Sequence, residues 1–317
     1  MYNLRTLLCP TDFSDGSLHA IRFAAFAAAK YGGTITLLYV DTFEKTPFGH
    51  FRGTPDIRQQ RHVAVQEFCT ERFAILSEAA GLKPERTRTL LRFGTSYREI
   101  IDEAESGQYS AVVISTEGLG LSSPHLIGRI AERVVRLCRA PVLTIRPRKD
   151  PLPGRIKRIL CPTDFSEYGN YAIPYAISIA LEFAAEVVFL HTVDLSVSDP
   201  EKLLDRFPDP ALYHDRASEV RIEKLIGRDV EPENTIERVV DEREIDLVIM
   251  GTHGARGLRR VQIGNTTEEV IRRVTVPVLS ITHPIHRTVF PRRFIEDYGS
   301  QELPGPASPQ GATERNT

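Results

Sequence analysis

The 317-residue sequence predicts an α/β fold: two tandem, doubly wound, mostly parallel five-stranded sheets of Rossmann-like type, able to pair as a pseudo-dimer. Three observations carry this. First, Leu7–Ser14 returns as Ile159–Ser166 at an offset of 152, identical from Leu8 to Ser14. Second, Pro141–Ile145 returns as Pro277–Ile281 at an offset of 136; Ala111–Ile114, Gly118 and Gly128 match Leu247–Met250, Gly254 and Gly264 at that same offset. Self-similarity of this kind marks duplication, and the second copy is 16 residues shorter, losing them between its second and third strands. Third, each copy alternates short β-branched runs with longer helical stretches, the pattern of right-handed crossovers and a parallel sheet covered on both faces.

In copy one the strands are Thr6–Cys9, Thr34–Val40, Thr87–Phe93, Ala111–Ser115 and Val142–Ile145. Between the first two, Leu18, Ile21, Ala25 and Ala28 fall at helical spacing and predict a helix over Gly16–Tyr31. Ser14 or Asp15 is its N-cap, and Gly32-Gly33 its stop. Further helices are expected at Ile57–Ala80, Tyr97–Ser106 and Ile127–Cys138. Copy two repeats the plan, with its second helix shortened to Glu201–Ala217. The domain division is 1–147, a proline-stiffened linker 148–154, a second unit 155–283, and a tail 284–317 whose Pro, Gly, Gln and Ser content predicts disorder from Leu303 onward.

The bulk numbers exclude several classes. Forty Lys and Arg balance 42 Asp and Glu, a formal charge of −2 that argues against nucleic acid or an acidic membrane as partner. No apolar run approaches the ~20 residues that span a bilayer. The beginning of the chain has no secretory h-region, and Cys9, Cys69, Cys138 and Cys161 form no CxxC pair. Reduced, buried thiols and a cytoplasmic location are the expectation.

In an open α/β sheet, ligands sit beyond the carboxyl ends of the strands, where strand order reverses. After the fourth strand of copy two comes Met250-Gly251-Thr252-His253-Gly254, then nine residues, then Gly264-Asn265-Thr266-Thr267 opening a helix. Glycines admit backbone amides close to a phosphate, and a helix N-terminus offers unpaired N–H groups. The same glycines also serve simple turns. Copy one departs: Ser115 replaces the first glycine, Arg129 stands after Gly128, and Glu117 adds negative charge. It reads as a copy that folds without cradling a phosphate, although Pro10, Thr11, Asp12 and Val40 remain in place after its first and second strands.

These pieces resemble the universal stress protein family. The resemblance rests on Pro-Thr-Asp-Phe-Ser after strand one, Leu190-His191-Thr192-Val193-Asp194 ending strand two, Met-Gly-Thr-His-Gly, the G-x2-G-x9-G loop and the closing Pro-Val-Leu-Ser-Ile. It covers residues 1 to about 283. It implies an adenine-nucleotide α-hydrolase-like fold and an ATP-binding site, with or without Mg2+, formed by Pro162, Thr163, Asp164, Thr192, Met250, Gly251, Gly254, Gly264, Asn265, Thr266 and Thr267. Asn265 stands where the family pattern has Ser or Thr. It further implies a stress-response sensor or regulator with a regulatory protein partner, and a homodimer paired through last strands. Val142–Ile145 and Val278–Ile281 are also placed to pair in that way within one chain.

Other residues admit two readings. Asp12 and Asp164 are caps, hydrogen-bond acceptors for a nucleoside, or general bases; His191 and His253 are structural or touch a ligand. His283 and His286 have metal-ligand spacing across a proline, and Arg256, Arg259 and Arg260 are phosphate-attracting or simply solvated. No Ser/His/Asp or Cys/His grouping and no G-x4-G-K-(S/T) loop occurs, so a dedicated hydrolase or kinase is not indicated. The competing reading is a non-nucleotide-binding interaction module acting through assembly.

Overall fold

The computed structural model describes residues 2–42, 55–118, 127–147, 154–253 and 265–283. The first half runs β1 (Thr6–Pro10), α1 (Asp15–Lys30), β2 (Thr34–Asp41), α2 (Pro55–Ala79), β3 (Thr87–Phe93), α3 (Ser96–Ala104), β4 (Ala111–Ser115), α4 (Arg129–Leu137) and β5 (Val142–Ile145). The second runs β6 (Arg158–Pro162), α5 (Glu167–Asn170), α6 (Ile173–Phe183), β7 (Glu186–Val193), β8 (Ile222–Arg228), α7 (Pro232–Glu242), β9 (Leu247–Gly251), α8 (Asn265–Arg273) and β10 (Val278–Ile281).

The strands are β-branched and apolar, and β4, β5, β9 and β10 are buried throughout, as strands covered on both faces must be. As expected of a pseudo-dimer, the two five-stranded sheets join through their last strands into one of ten, ordered β3-β2-β1-β4-β5-β10-β9-β6-β7-β8. Every pairing is parallel except the central one, where β5 and β10 run antiparallel. There Leu143 faces Leu279, two residues at equivalent repeat positions, so a pseudo-twofold axis passes through that pair. Thr144 Oγ1 donates to the Val278 carbonyl at 3.2 Å, and its counterpart Ser280 Oγ donates to the Val142 carbonyl at 3.0 Å. Both edges of β5 and β10 are thereby occupied within the chain, leaving no free edge there for last-strand pairing between whole chains.

One apolar layer, contributed by α1, α2 and α6, runs uninterrupted over the seam; α3, α4, α7 and α8 cover the other face. Two polar links reinforce the seam. Arg146, just past β5, donates to the Ile271 carbonyl at 3.1 Å and to the Arg272 carbonyl, near the carboxyl end of α8. Thr282, just past β10, reaches the Cys138 carbonyl that closes α4. Both satisfy helix-terminal carbonyls that lack partners within their own helix.

Two expectations are corrected. The helix expected over Glu201–Ala217 is a series of 3-10 turns at Pro200–Arg206, Pro210–Leu212 and Ala217–Glu219; prolines 200, 208 and 210 remove the donors a continuous helix needs. The first helix of copy two also breaks between α5 and α6, where Pro174 stands in the first turn of α6. The tail and most of the linker lie outside the described residues, as does His286.

Candidate functional site

Each half has strand order 3-2-1-4-5, so its chain turns in opposite directions from the carboxyl ends of its first and fourth strands. The crevice of copy one lies between β1 and β4, that of copy two between β6 and β9.

On the β6 side, the Thr163 amide donates to the Leu190 carbonyl at 2.8 Å, tying the turn to β7. Thr163 Oγ1 donates to Asn170 Oδ1 at 2.6 Å and accepts from the Phe165 amide at 2.9 Å. Asp164 Oδ1 accepts from the Ser166 amide at 3.1 Å and from the Ser166 hydroxyl, while Ser166 caps α5 by accepting from the Gly169 amide. Asp164 therefore orients the cap and is not itself the cap, and its carboxylate is exposed. Between them Phe165 has φ 64°, and Phe13 in copy one has φ 61°. A bulky residue in this left-handed region is strained and persists only where its surroundings over-determine it. Here the surroundings are the two side-chain-to-backbone bonds and a ring stack: Phe165 lies 3.9 Å from His191, and Phe13 lies 4.9 Å from Tyr39, the equivalent residue.

His191 Nδ1 lies 2.8 Å from the Thr163 carbonyl, which fixes that nitrogen as donor. Burial pushes the His191 pKa down; the Thr163 carbonyl and the Asp164 charge oppose this, and Arg206 adds to it. The imidazole is a neutral structural element holding the turn. Thr192 is half-buried on β7, in register with Gly227 of β8. Pro162 is half-buried at the end of β6.

On the β9 side, Met250 is buried in the core. A Cβ on Gly251 would lie 2.7 Å from the Tyr168 carbonyl of α5, so the strand end and the helix make backbone contact. Thr267, buried in the first turn of α8, donates from Oγ1 to the Gly251 carbonyl at 3.0 Å. That hydroxyl locks α8 onto the strand end and is not spent on a ligand. Asn265 is exposed and Thr266 half-exposed in the same turn, so their polar groups face the crevice mouth or solvent. Thr252 Oγ1 and His253 Nδ1 are 2.8 Å apart and buried. Gly254, Gly264 and the arginines at 256, 259 and 260 lie outside the described residues.

Copy one fills its crevice differently. A Cβ on Gly16 would lie 2.4 Å from the Glu117 carbonyl and 2.9 Å from Ser115 Oγ. Gly16 and Ser115 are the counterparts of Tyr168 and Gly251, so the small residue has changed sides of one close contact. The sequence reading of Ser115 as a lost phosphate contact is thus refined: the glycine at this point answers first to helix packing. Farther along, a Cβ on Gly118 would meet Asp12 Oδ2 at 2.6 Å, so the loop lies directly against that carboxylate. The Glu117 amide donates to Ser115 Oγ at 3.1 Å, so the start of this loop is folded back on the strand end. α4 begins with Gly128 as a cap without a side-chain bond, then Arg129, exposed Ile130 and buried Ala131, none of which repeats the Asn-Thr-Thr donors of copy two.

Sequence reasoning missed the aromatic floor. Phe207 meets Phe165 edge-on at 5.1 Å, and the Arg206 guanidinium lies 5.2 Å from the Phe165 ring centre. In copy one Phe68 and Phe73 do the same for Phe13, with Arg72 at 5.7 Å. No fixed spacing links these residues to the repeat motif. Among the described residues no cluster suited to a metal ion occurs, and no helix is long and apolar enough to cross a membrane.

The family model described as "Universal stress protein family" matches residues 3–146 and again 155–281. A universal stress protein of Methanocaldococcus jannaschii is 33% identical over 144 residues, covering 40% of this chain and 83% of that one. One from Synechocystis is 23% identical over 308 residues, covering 87% and 99%. Among solved structures, a universal stress protein from Archaeoglobus fulgidus superposes with a TM-score of 0.65 at 23% identity, over 87% of this chain and 98% of that one, a likeness of fold. Two successive matches that take in both halves, and a relative of almost the same length, leave one conclusion: this chain belongs to the universal stress protein family, as a tandem pair of its domains.

Proposed function

We propose that the second half binds ATP, with or without Mg2+, and that the chain serves in stress response as a sensor or regulator read by a partner protein, not as an enzyme. One observation carries this reading. At the β6/β9 crevice α8 opens with Asn265 and Thr266 facing outward over a strand end that Thr267 locks in place. A helix N-terminus held rigidly over a topological switch point is suited to phosphate, and the exposed Asp164 stands on the turn after β6, on the other wall. Copy one lacks the Asn-Thr-Thr opening of its fourth helix, and the Glu117 carbonyl and Ser115 hydroxyl lie against Gly16 at the corresponding strand end, which disfavours a triphosphate there. Slow hydrolysis is not part of the proposal, since no described group is poised to activate water.

The test is the nucleotide released from purified protein, with calorimetry against ATP and Mg2+. One ATP per chain, lost in Gly254→Val and retained in Gly118→Val, is the expected result. No ATP by either method defeats the proposal.

A second reading has its own observation. Gly251 and Thr267 are both accounted for by packing, as a non-binding interaction module requires. Under either reading, homodimerisation of whole chains needs a surface other than β5 and β10.

A further inference from the structure

The helices α1 and α6 meet over the seam, and their contact is not symmetric. Phe26 of α1 packs on Phe183 at 5.7 Å, and Tyr31 on Phe183 at 6.1 Å. The repeat offset places Ser178 of α6 where α1 has Phe26, and Glu182 where α1 has Lys30. Where a second phenylalanine would complete the pseudo-twofold there is instead a cavity of about 260 Å3, lined by Tyr2, Asn3, Arg5, Lys30, Tyr31, Ser178 and Glu182. Both halves contribute to it. Tyr2 bridges them by stacking on Tyr175 with ring centres 3.7 Å apart.

Ser178 of α6 is 1% exposed, and its hydroxyl has no hydrogen-bond partner among the described residues. A buried hydroxyl left unsatisfied is destabilising, and this one belongs to the cavity lining. The side chains of Arg5 and Lys30 form no hydrogen bond or ion pair among the described residues, and neither does Glu182. Burial raises the Tyr31 pKa, the Glu182 charge adds to it and the Leu4 backbone opposes it. At about 260 Å3 the space falls below the ~300–1,000 Å3 usual for larger ligands and suits a small one.

We propose that this cavity between α1 and α6 is a binding site for a small zwitterion of the α-amino-acid class. Its carboxylate pairs with Arg5 and Lys30, its ammonium pairs with Glu182, and its body rests on Tyr2 and Tyr31 with Ser178 at the base. The proposal is independent of ATP binding in the β6/β9 crevice.

The test is calorimetry and thermal unfolding of the full chain with each common L-amino acid, and in parallel with the 2-hydroxy acid of the same side chain. At least one amino acid is expected to bind and raise the unfolding temperature, at least about tenfold more tightly than its 2-hydroxy analogue. Ser178→Phe, which copies Phe26, is expected to abolish binding while unfolding at or above the wild-type temperature. Should that side chain not be accommodated, Lys30→Gln and Glu182→Gln, both at the rim, each weaken binding about tenfold or more. Absence of binding by every amino acid overturns the proposal. So does equal binding of the 2-hydroxy analogue, which identifies a simple organic-acid site, and so does wild-type affinity in Glu182→Gln.

Discussion

Replacing Gly251 by serine moves copy two toward the arrangement of copy one without its compensation. The new Cβ lies 2.7 Å from the Tyr168 carbonyl and 3.4 Å from the His253 carbonyl. Against a close C···O contact of about 3.3 Å, the first is short by roughly 0.6 Å. The obstacle is backbone on both sides, so no rotamer relieves it, and overpacking of this kind costs about 1–3 kcal/mol. Tyr168→Gly keeps the obstructing carbonyl but removes the side chain that fixes α5 in place, so that the helix end can shift toward the copy-one pairing of a helix glycine with a strand-end serine. Alone it is also destabilising, through the lost ring contact with His283 at 5.2 Å and about 1 kcal/mol of helix propensity. The double variant is expected to be more stable than the sum of the singles by about 1 kcal/mol, within the range seen for residues in contact. Urea unfolding of the four proteins measures this. Additivity to within about 0.5 kcal/mol refutes the idea that the two copies solved one packing problem in opposite ways.

Three further outcomes are expected. Arg146→Met removes a charged donor from the Ile271 and Arg272 carbonyls and costs about 1.5–3 kcal/mol in urea melts; an unchanged midpoint shows the seam does not need it. His191 has a folded-state pKa below its unfolded value of about 6.5, so protonation favours the unfolded chain; its contribution is present above about pH 6.5 and lost as pH falls through the folded pKa. Stability measured from pH 8 downward is expected to fall less steeply in His191→Gln, and identical slopes contradict the burial argument. All four cysteines are buried, and burial pushes Cys161 up to about 12, Cys69 up to about 11 and Cys9 higher still. A thiol reagent at neutral pH is expected to label the native protein negligibly and all four sites in urea, whereas rapid native labelling shows one of them opens.

The strands were legible because both-face burial leaves a strong signature: β4 as Ala-Val-Val-Ile-Ser and β9 as Leu-Val-Ile-Met-Gly admit few other readings. Cap chemistry read equally well, with Ser14 capping α1 as its type and place predict. The region after β7 read wrongly because its helical composition was overridden by three prolines within eleven residues. Site residues divided on the same principle. Thr163 and Asp164 belong to a local motif whose geometry follows from sequence separation alone. Thr267 and Gly251, sixteen residues apart, were recognised as neighbours, but a sequence does not reveal whether a hydroxyl is spent on a carbonyl or kept for a ligand. Gly16 and Ser115, Phe26 and Ser178, acquire meaning only when the two copies are superposed in space.

The antiparallel junction of β5 and β10 has an evolutionary consequence. Two identical subunits meeting about a twofold axis must display every substitution twice, so a change that helps one side of the interface is imposed on the other. Joining the halves in one chain lifts that constraint, and it also keeps the halves together at any dilution, because their encounter is intramolecular. Each half became free to specialise while using its sibling as a permanent scaffold. Exchange of a phenylalanine for a serine on one helix alone, or of a glycine from one side of a contact to the other, is a change open to a fused pair and closed to a symmetric dimer.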